Sequence, residues 1–223
     1  MAPLICGFSY GRNLVKLDYP VAEAIRSVLP ACDRYLFLVG DSDDATEGLI
    51  RAIDPKIQVI RSRWPQTTSG GELFRIEGQK VMGQAGATGT VWGLHQFCDE
   101  VYQELDLPGL RAASRAHADA AQVKALLVRM VNFAFDYRSV DPWMYRKACR
   151  IYRLDDTLEL YGDGCGPGIR QTILKQSGHR FQAGSRCNYY LDKHHLGGHV
   201  RWARDPAGGP ITRIFHYAWG QTE

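Results

Sequence analysis

The sequence lacks any apolar run of the roughly 20 residues that a membrane-spanning helix needs. Its apolar start, at residues 1–6, is too short for the core of a signal peptide. We therefore expect a cytoplasmic protein with no transmembrane segment. No C-x-x-C pair is present either, because the six cysteines occur singly, and this favours neither a zinc knuckle nor a dense disulfide framework.

A marked excess of one charge is also missing. The chain has 27 Lys and Arg against 24 Asp and Glu, a formal net charge of +3, and its basic residues are scattered. Nucleic-acid binding depends on a concentrated basic surface, so we expect no nucleic-acid partner. The 223 residues, 45% of them hydrophobic, predict a single domain over 1–223. Within it we place a nucleotide-binding half at about 1–104 and an acceptor half at about 105–223.

Short apolar segments alternate with segments of helical periodicity. The pattern predicts strands at 4–9, 34–39, 57–61, 90–97, 123–135 and 211–219, and helices at 17–29, 45–53 and 72–85. The order strand, helix, strand, helix, strand at this spacing indicates an α/β fold with an open, mainly parallel sheet flanked by helices. Ligands of such sheets bind at the carboxyl ends of the strands, so the loops after the first two strands should line the site.

Acidic residues occur where predicted strands end. The clusters are Asp41, Asp43 and Asp44, then Asp99 and Glu100, then Asp163 in a glycine-rich turn. Mn²⁺ and Mg²⁺ usually bind one or two carboxylates together with substrate phosphates, so these positions suit a cation and a diphosphate. For Asp43 and Asp44, helix capping at a solvent-facing turn is the alternative interpretation.

Four short segments, in order, resemble family 2 glycosyltransferases, which have the GT-A (Rossmann-like) fold. They are Phe8-Ser9-Tyr10-Gly11-Arg12-Asn13, the acidic turn from Val39 to Thr46, Phe97-Cys98-Asp99-Glu100, and His216-Tyr217-Ala218-Trp219. The resemblance implies that Phe8, Arg12, Asp41 and Asp43 bind the nucleotide. It also implies that Asp99, with His216 as partner, holds Mn²⁺ or Mg²⁺; a packed strand histidine is the alternative for His216.

Two further sets of residues complete the predicted site. Arg146 and Arg150 form a basic group that could face a diphosphate or simply be solvated. Inverting transfer also needs a carboxylate base near the acceptor hydroxyl. The resemblance places such an acid after the metal motif, and Asp163 or Asp192 is the candidate.

The function that follows is inverting transfer of a sugar from a nucleoside-diphosphate sugar to an acceptor hydroxyl, with a divalent cation. The acceptor is not specified and could be a saccharide, a lipid-linked group or a protein. Gly40 and Cys98 depart from the family's acidic motifs, so a non-catalytic nucleotide-sugar-binding module is the alternative. A sugar-1-phosphate nucleotidyltransferase is disfavoured because no glycine-rich phosphate loop follows the first strand.

Overall fold

Buried strands and amphipathic helices alternate through the first half of the chain. The computed structural model describes residues 4–64, 70–133, 136, 138–161, 166–169 and 200–217. Strand β1, Ile5–Gly11, is buried throughout, and β2, Arg34–Val39, is buried after its first residue. Strand β3, Ile57–Arg61, pairs with β2 in parallel. Continuous burial of this kind is typical of parallel strands that are covered on both faces.

The remaining strands join the same sheet. They are β4 (Trp92–His95), β5 (Glu100–Tyr102), β6 (Ala125–Asn132), β7 (Lys147–Arg153), β10 (Val200–Trp202) and β11 (Arg213–His216). The strand order is β3-β2-β1-β4-β7-β6-β11-β5, and β10 also pairs with β6. A separate hairpin contains β8, Leu158–Tyr161, and β9, Gly166–Ile169. Strands from both predicted halves therefore form one mixed, mainly parallel sheet.

Helices pack on both faces of this sheet. Among the described residues they are α1 (Val21–Val28), α2 (Thr46–Ile53), α3 (Gly70–Gly86) and α4 (Leu107–Ala116). Ile25, Ile50 and Leu110 extend one buried cluster from α1, α2 and α4. Val81 of α3 and Leu160 of β8 belong to the cluster on the other face. Within the described part of the chain, no helix is long and apolar enough to cross a membrane.

Several predicted elements differ from the observed ones. The strands at 34–39 and 57–61 have the predicted bounds, and the segment 123–135, predicted as a strand, contains the shorter strand β6. The helix expected from 17 begins only at Val21, because Asn13 and Asp18 adopt positive φ angles of 54° and 53° in the preceding loop. Helix α3 continues through Gly83, which is exposed. Helix α4 and strand β7 were not predicted.

Candidate functional site

The loops that follow β1 and β2 are joined by hydrogen bonds. The backbone N–H of Asp43 donates to Asn13 Oδ1 at 2.9 Å, and the N–H of Asn13 donates to Ser42 Oγ at 3.1 Å. Buried Thr46 accepts the N–H of Leu14 at 2.7 Å. These contacts link the loops at the carboxyl ends of β1 and β2.

The acidic turn also begins helix α2. Asp44 Oδ1 accepts the N–H of Thr46 at 2.9 Å, and Asp44 Oδ2 accepts the N–H of Lys16 at 2.8 Å. Glu47, three positions after Asp44, forms ion pairs with Arg51 and Arg61. Asp44 therefore orders the turn before α2, although the N-cap position itself is Ala45, which makes no side-chain cap hydrogen bond.

The predicted nucleotide-binding residues separate into two groups. Arg12 and Asp41 are exposed at the ends of β1 and β2, where a ligand of the sheet would lie. Asp43 is exposed as well, and its carboxylate is 3.1 Å from Lys16 Nζ. Phe8 differs, because its ring is fully buried and stacks on His95 with centroids 5.1 Å apart. The structure places Phe8 in the core, which contradicts its prediction as a nucleotide contact.

Asp99 and His216 meet at the junction of β5 and β11. The two strands are antiparallel, and the N–H of Tyr217 donates to the carbonyl oxygen of Asp99 at 3.0 Å. This pairing brings Asp99 Oδ2 to 3.6 Å from His216 Nε2. His216 is buried, whereas the Asp99 side chain is 23% exposed. A carboxylate and an imidazole nitrogen thus face each other at the edge of the sheet.

The orientation of the His216 ring is fixed by Asn132 at the end of β6. Asn132 Nδ2 donates to the carbonyl oxygen of Tyr145 at 2.7 Å, so its Oδ1 is the atom that faces His216 Nδ1 at 3.0 Å. An amide oxygen accepts only, and Nδ1 must therefore carry the proton. In the neutral ring, Nε2 then presents its lone pair toward Asp99. Metal-binding histidines typically donate a hydrogen bond from the other ring nitrogen in this way.

Glu100, next to Asp99, has a different environment. Its carboxylate is buried and accepts Arg150 Nε at 2.9 Å and Nη2 at 2.6 Å. The Arg150 side chain is 1% exposed, and its Cζ lies 4.5 Å from the centre of the Phe97 ring. A buried guanidinium cannot reach a diphosphate bound at the sheet edge. The structure therefore contradicts the prediction of Arg150 as a diphosphate ligand and makes it part of a buried ion pair.

A β-bulge explains the position of Arg150. Leu126 of β6 pairs with Ile151 and Leu127 pairs with Cys149, so Arg150 is the extra residue of β7. Bulges redirect a side chain out of the regular alternation. Arg146 lies just before β7, is exposed, and donates through Nη2 to the carbonyl oxygen of Pro142 at 3.1 Å. Of the two predicted arginines, Arg146 remains accessible to a ligand.

Tyr19 and Cys98 lie close to Asp99. Burial raises the pKa of Tyr19, and the Asp99 carboxylate raises it further. The hydroxyl of Tyr19 is therefore a neutral hydrogen-bond donor at physiological pH. Burial also raises the pKa of the Cys98 thiol to about 12, so Cys98 is not a nucleophile.

The predicted catalytic acids, Asp163 and Asp192, lie outside the described residues. Within the described ranges, no group of three or more His, Cys, Asp or Glu side chains is arranged to hold a metal ion. A cation at Asp99 and His216 would thus need further ligands from substrate phosphates or water, as Mn²⁺ and Mg²⁺ commonly do. Sequence patterns missed Asn132, Tyr145 and Tyr19, which reach this site only through the fold.

Comparisons with known proteins identify the fold. No protein-family model matches the sequence, and a comparison with curated proteins gave no match. The structure resembles residues 1–349 of S. aureus TarS in complex with UDP-GlcNAc, with a TM-score of 0.50 and 13% identity over 98% of this chain and 60% of that chain. The same TarS fragment in complex with UDP gives a TM-score of 0.50 and 13% identity over 95% and 60%.

These matches show that the chain has the GT-A glycosyltransferase fold, as the sequence predicted. The chain spans 60% of the length of the TarS fragment. A structural match at 13% identity shows the fold alone, so the roles of individual residues rest on their geometry.

Proposed function

We propose that this protein is a glycosyltransferase that takes its sugar from a nucleoside-diphosphate donor and transfers it, with inversion, to an acceptor hydroxyl. The observation that carries the proposal is the approach of Asp99 and His216 to 3.6 Å at the carboxyl edge of a GT-A sheet. The TarS structures of the same fold contain UDP and UDP-GlcNAc, which supports a donor of that class.

The residues present fit a divalent cation. Asp99 contributes a carboxylate oxygen and His216 an imidazole nitrogen, a donor pair that suits Mn²⁺ and, less well, Mg²⁺. Asn132 holds the ring with Nε2 directed at Asp99. Two lone-pair donors facing each other repel unless a cation or a proton lies between them. A bound cation would stabilise the negative charge of the departing diphosphate.

Other residues would bind the rest of the donor. The exposed Arg146 guanidinium would donate to diphosphate oxygens from the start of β7. Arg12, Asp41 and, beside Lys16, Asp43 would contact the nucleotide at the ends of β1 and β2. The acceptor base is assigned to Asp163 or Asp192, because inversion requires a carboxylate on the face opposite the leaving group.

One observation favours the non-catalytic alternative. Glu100 is held by Arg150, so Asp99 is the one carboxylate of this acidic pair that can face a cation. A site with a single carboxylate gives less support to turnover than a site with two. A module that binds the donor without turnover would share the metal site and lack the base. Measuring product formation in the Asp163→Asn and Asp192→Asn variants, beside donor affinity, separates the two functions, since loss of a base lowers turnover and spares binding.

A thermal-shift panel tests the proposal. Nucleoside diphosphates and their sugars, each with and without Mn²⁺, should raise the melting temperature of the protein if they bind the folded state. A ligand at about 100 times its Kd stabilises by about 2.7 kcal/mol, which corresponds to roughly 5–10 °C for a chain of this size.

Three variants make the panel specific. Asp99→Asn should remove the Mn²⁺-dependent part of the shift, whereas Glu104→Gln, at an exposed position near the same strand, should keep it. Asn132→Ala should weaken Mn²⁺ binding by about 10–100-fold through misorientation of His216. A nucleotide shift that is equal in Mn²⁺ and in excess chelator would refute the metal role.

A further inference from the structure

Side chains on one face of the sheet reach solvent where β7, β6 and β11 run side by side. On the opposite face of these strands, Val128, Met130 and Ile214 are at most 4% exposed. On the accessible face, Arg129 is exposed and the Arg213 side chain is 37% exposed. Parallel sheets are usually covered on both faces. The accessible part of this sheet is therefore a surface on which a ligand could lie.

Three basic residues stand in register across this face. Lys147 of β7 pairs with Arg129 of β6, and Arg129 pairs with Arg213 of β11. Paired residues direct their side chains to the same face, and neighbouring strands are only about 4.8 Å apart. Like charges directly opposite each other destabilise a sheet. A row of this kind lowers stability, which is typical of a surface retained for binding and not for packing.

A buried carboxylate fixes one end of the row. The Asp106 side chain is fully buried and accepts Arg213 Nε at 2.8 Å and Nη2 at 3.0 Å. Asp106 Oδ2 also accepts the backbone N–H of Arg213 at 2.9 Å, so this guanidinium is held in place before any ligand binds. Arg129, in the middle of the row, forms no ion pair with any residue that the structure describes. Arg129 is therefore the cation that an incoming anion would neutralise.

Aromatic rings extend the face in both directions along the strands. Trp202 pairs with Leu127, two residues before Arg129 on β6, and is 39% exposed. In the other direction, Phe215 is half-buried and its ring stacks on Phe133 with centroids 6.0 Å apart. From Leu127 to Phe133 the face extends about 20 Å, a length that suits a chain molecule and not a single ion. These two rings and the three basic residues make up the basic strip (Trp202, Phe215, Lys147, Arg129 and Arg213).

We propose that the basic strip binds an anionic saccharide chain whose end is the acceptor of the glycosyl transfer. The role of the bound chain as acceptor rests on the proposed function, whereas its chemistry follows from the strip. Guanidinium groups bind phosphate or carboxylate oxygens, and an indole face suits the C–H face of a sugar ring. Arg213 precedes His216 by three residues, about 10 Å along β11. A chain that lies along the strands therefore leads to the edge that carries Asp99 and His216.

Calorimetry on the full chain with four probes tests this assignment: maltohexaose, phosphorylated maltohexaose, a hyaluronan hexasaccharide and hexathymidylate. At least one anionic saccharide should bind about tenfold or more tightly than neutral maltohexaose, because charge-assisted hydrogen bonds supply the difference. The one that binds identifies phosphate or carboxylate as the anion. Arg129→Gln should weaken its binding about tenfold, and Trp202→Ala about three- to tenfold. Arg34→Gln, at an exposed position that begins β2, is the matched control and should leave all affinities unchanged.

Thermal unfolding distinguishes a binding role of Arg129 from a structural one. Because Arg129 lies between two other cations, Arg129→Gln should keep or raise the melting temperature of the free protein, and it should leave the Mn²⁺-dependent nucleotide shift unchanged. Equal saccharide affinities for the wild type and Arg129→Gln, or equal binding of neutral and anionic chains, would overturn the inference and leave the proposed function standing.

Tighter binding of hexathymidylate than of either anionic saccharide would overturn the inference in favour of a nucleic-acid ligand. A wild-type protein that binds an anionic saccharide but no nucleotide would refute the proposed function, and with it the role of the bound chain as acceptor.

Discussion

His95 should make the stability of this protein fall as the solution becomes mildly acidic. Its side chain is fully buried, and its ring lies 4.6 Å from Phe97 and 5.1 Å from Phe8 between centroids. Neither ring nitrogen has a hydrogen-bond partner among the described residues. Burial, and then the charge of Arg150, hold the pKa of His95 well below its ordinary value of 6.5.

The direction of the effect follows from proton binding. In the unfolded chain His95 takes up a proton near pH 6.5, whereas in the folded protein it stays neutral. The free energy of unfolding is therefore highest above pH 6.5, where His95 is neutral in both states. It falls below pH 6.5, because only the unfolded chain then binds the proton. One proton of difference lowers the free energy of unfolding by about 1.4 kcal/mol between pH 7.5 and 5.5.

Urea unfolding at pH 7.5, 6.5 and 5.5, followed by tryptophan fluorescence, measures how the free energy of unfolding changes with pH. His95→Phe keeps an aromatic ring and cannot be protonated. We expect its stability relative to the wild type to rise by about 1.4 kcal/mol from the highest to the lowest pH. His117→Gln is the comparison: burial lowers the pKa of His117 as well, so its pH profile should depart from the wild type in the same direction but by less, because its side chain is only half-buried. Parallel pH profiles for the wild type and His95→Phe would refute the reasoning.

Two pairs of substitutions test the packing of helix α3 and the buried ion pair of Glu100 and Arg150. Gly78→Ala would bring a Cβ to 2.5 Å from the Leu160 methyl and should lower the free energy of unfolding in urea by about 1–3 kcal/mol. Gly83→Ala, on the open side of the same helix, should raise it by about 0.5–1 kcal/mol. A loss of stability in Gly83→Ala would contradict this. Glu100→Gln removes one partner of a buried ion pair and should lower the free energy of unfolding by about 3–5 kcal/mol. Glu104→Gln, the exposed control, should lower it by less than about 0.5 kcal/mol. Equal effects would show that the pair does not stabilise the fold.

Local pattern was sufficient for the parallel half of the sheet. Strands β2 and β3 were predicted with their observed bounds. For β2 the reason is that a continuous apolar segment between polar turns has few other interpretations. The turn after β2 was predicted in the same way. Asp99 and His216 were both predicted as candidates, and the fold brings them together. Their role as metal ligands is still a prediction.

The errors arose where an interaction links distant residues. Arg150 and its neighbours on β7 resemble a solvated basic segment, since the partner carboxylate of Glu100 is 50 positions away. Phe8 was placed at the ligand by the family resemblance. Because both faces of β1 are buried, alternation along the strand gave no signal that its side chain lies in the core. Asn132 gave no signal either, because its importance comes from its hydrogen bond to His216.

Anomalous diffraction from a crystal grown with Mn²⁺ and uridine diphosphate tests the central claim most directly. The manganese position is identified by its own scattering and does not depend on activity. We expect a single strong peak about 2 Å from a carboxylate oxygen of Asp99 and from Nε2 of His216, with diphosphate oxygens completing the coordination. A nucleotide bound at the sheet edge with no manganese at these two side chains, or manganese bound elsewhere, would contradict the account.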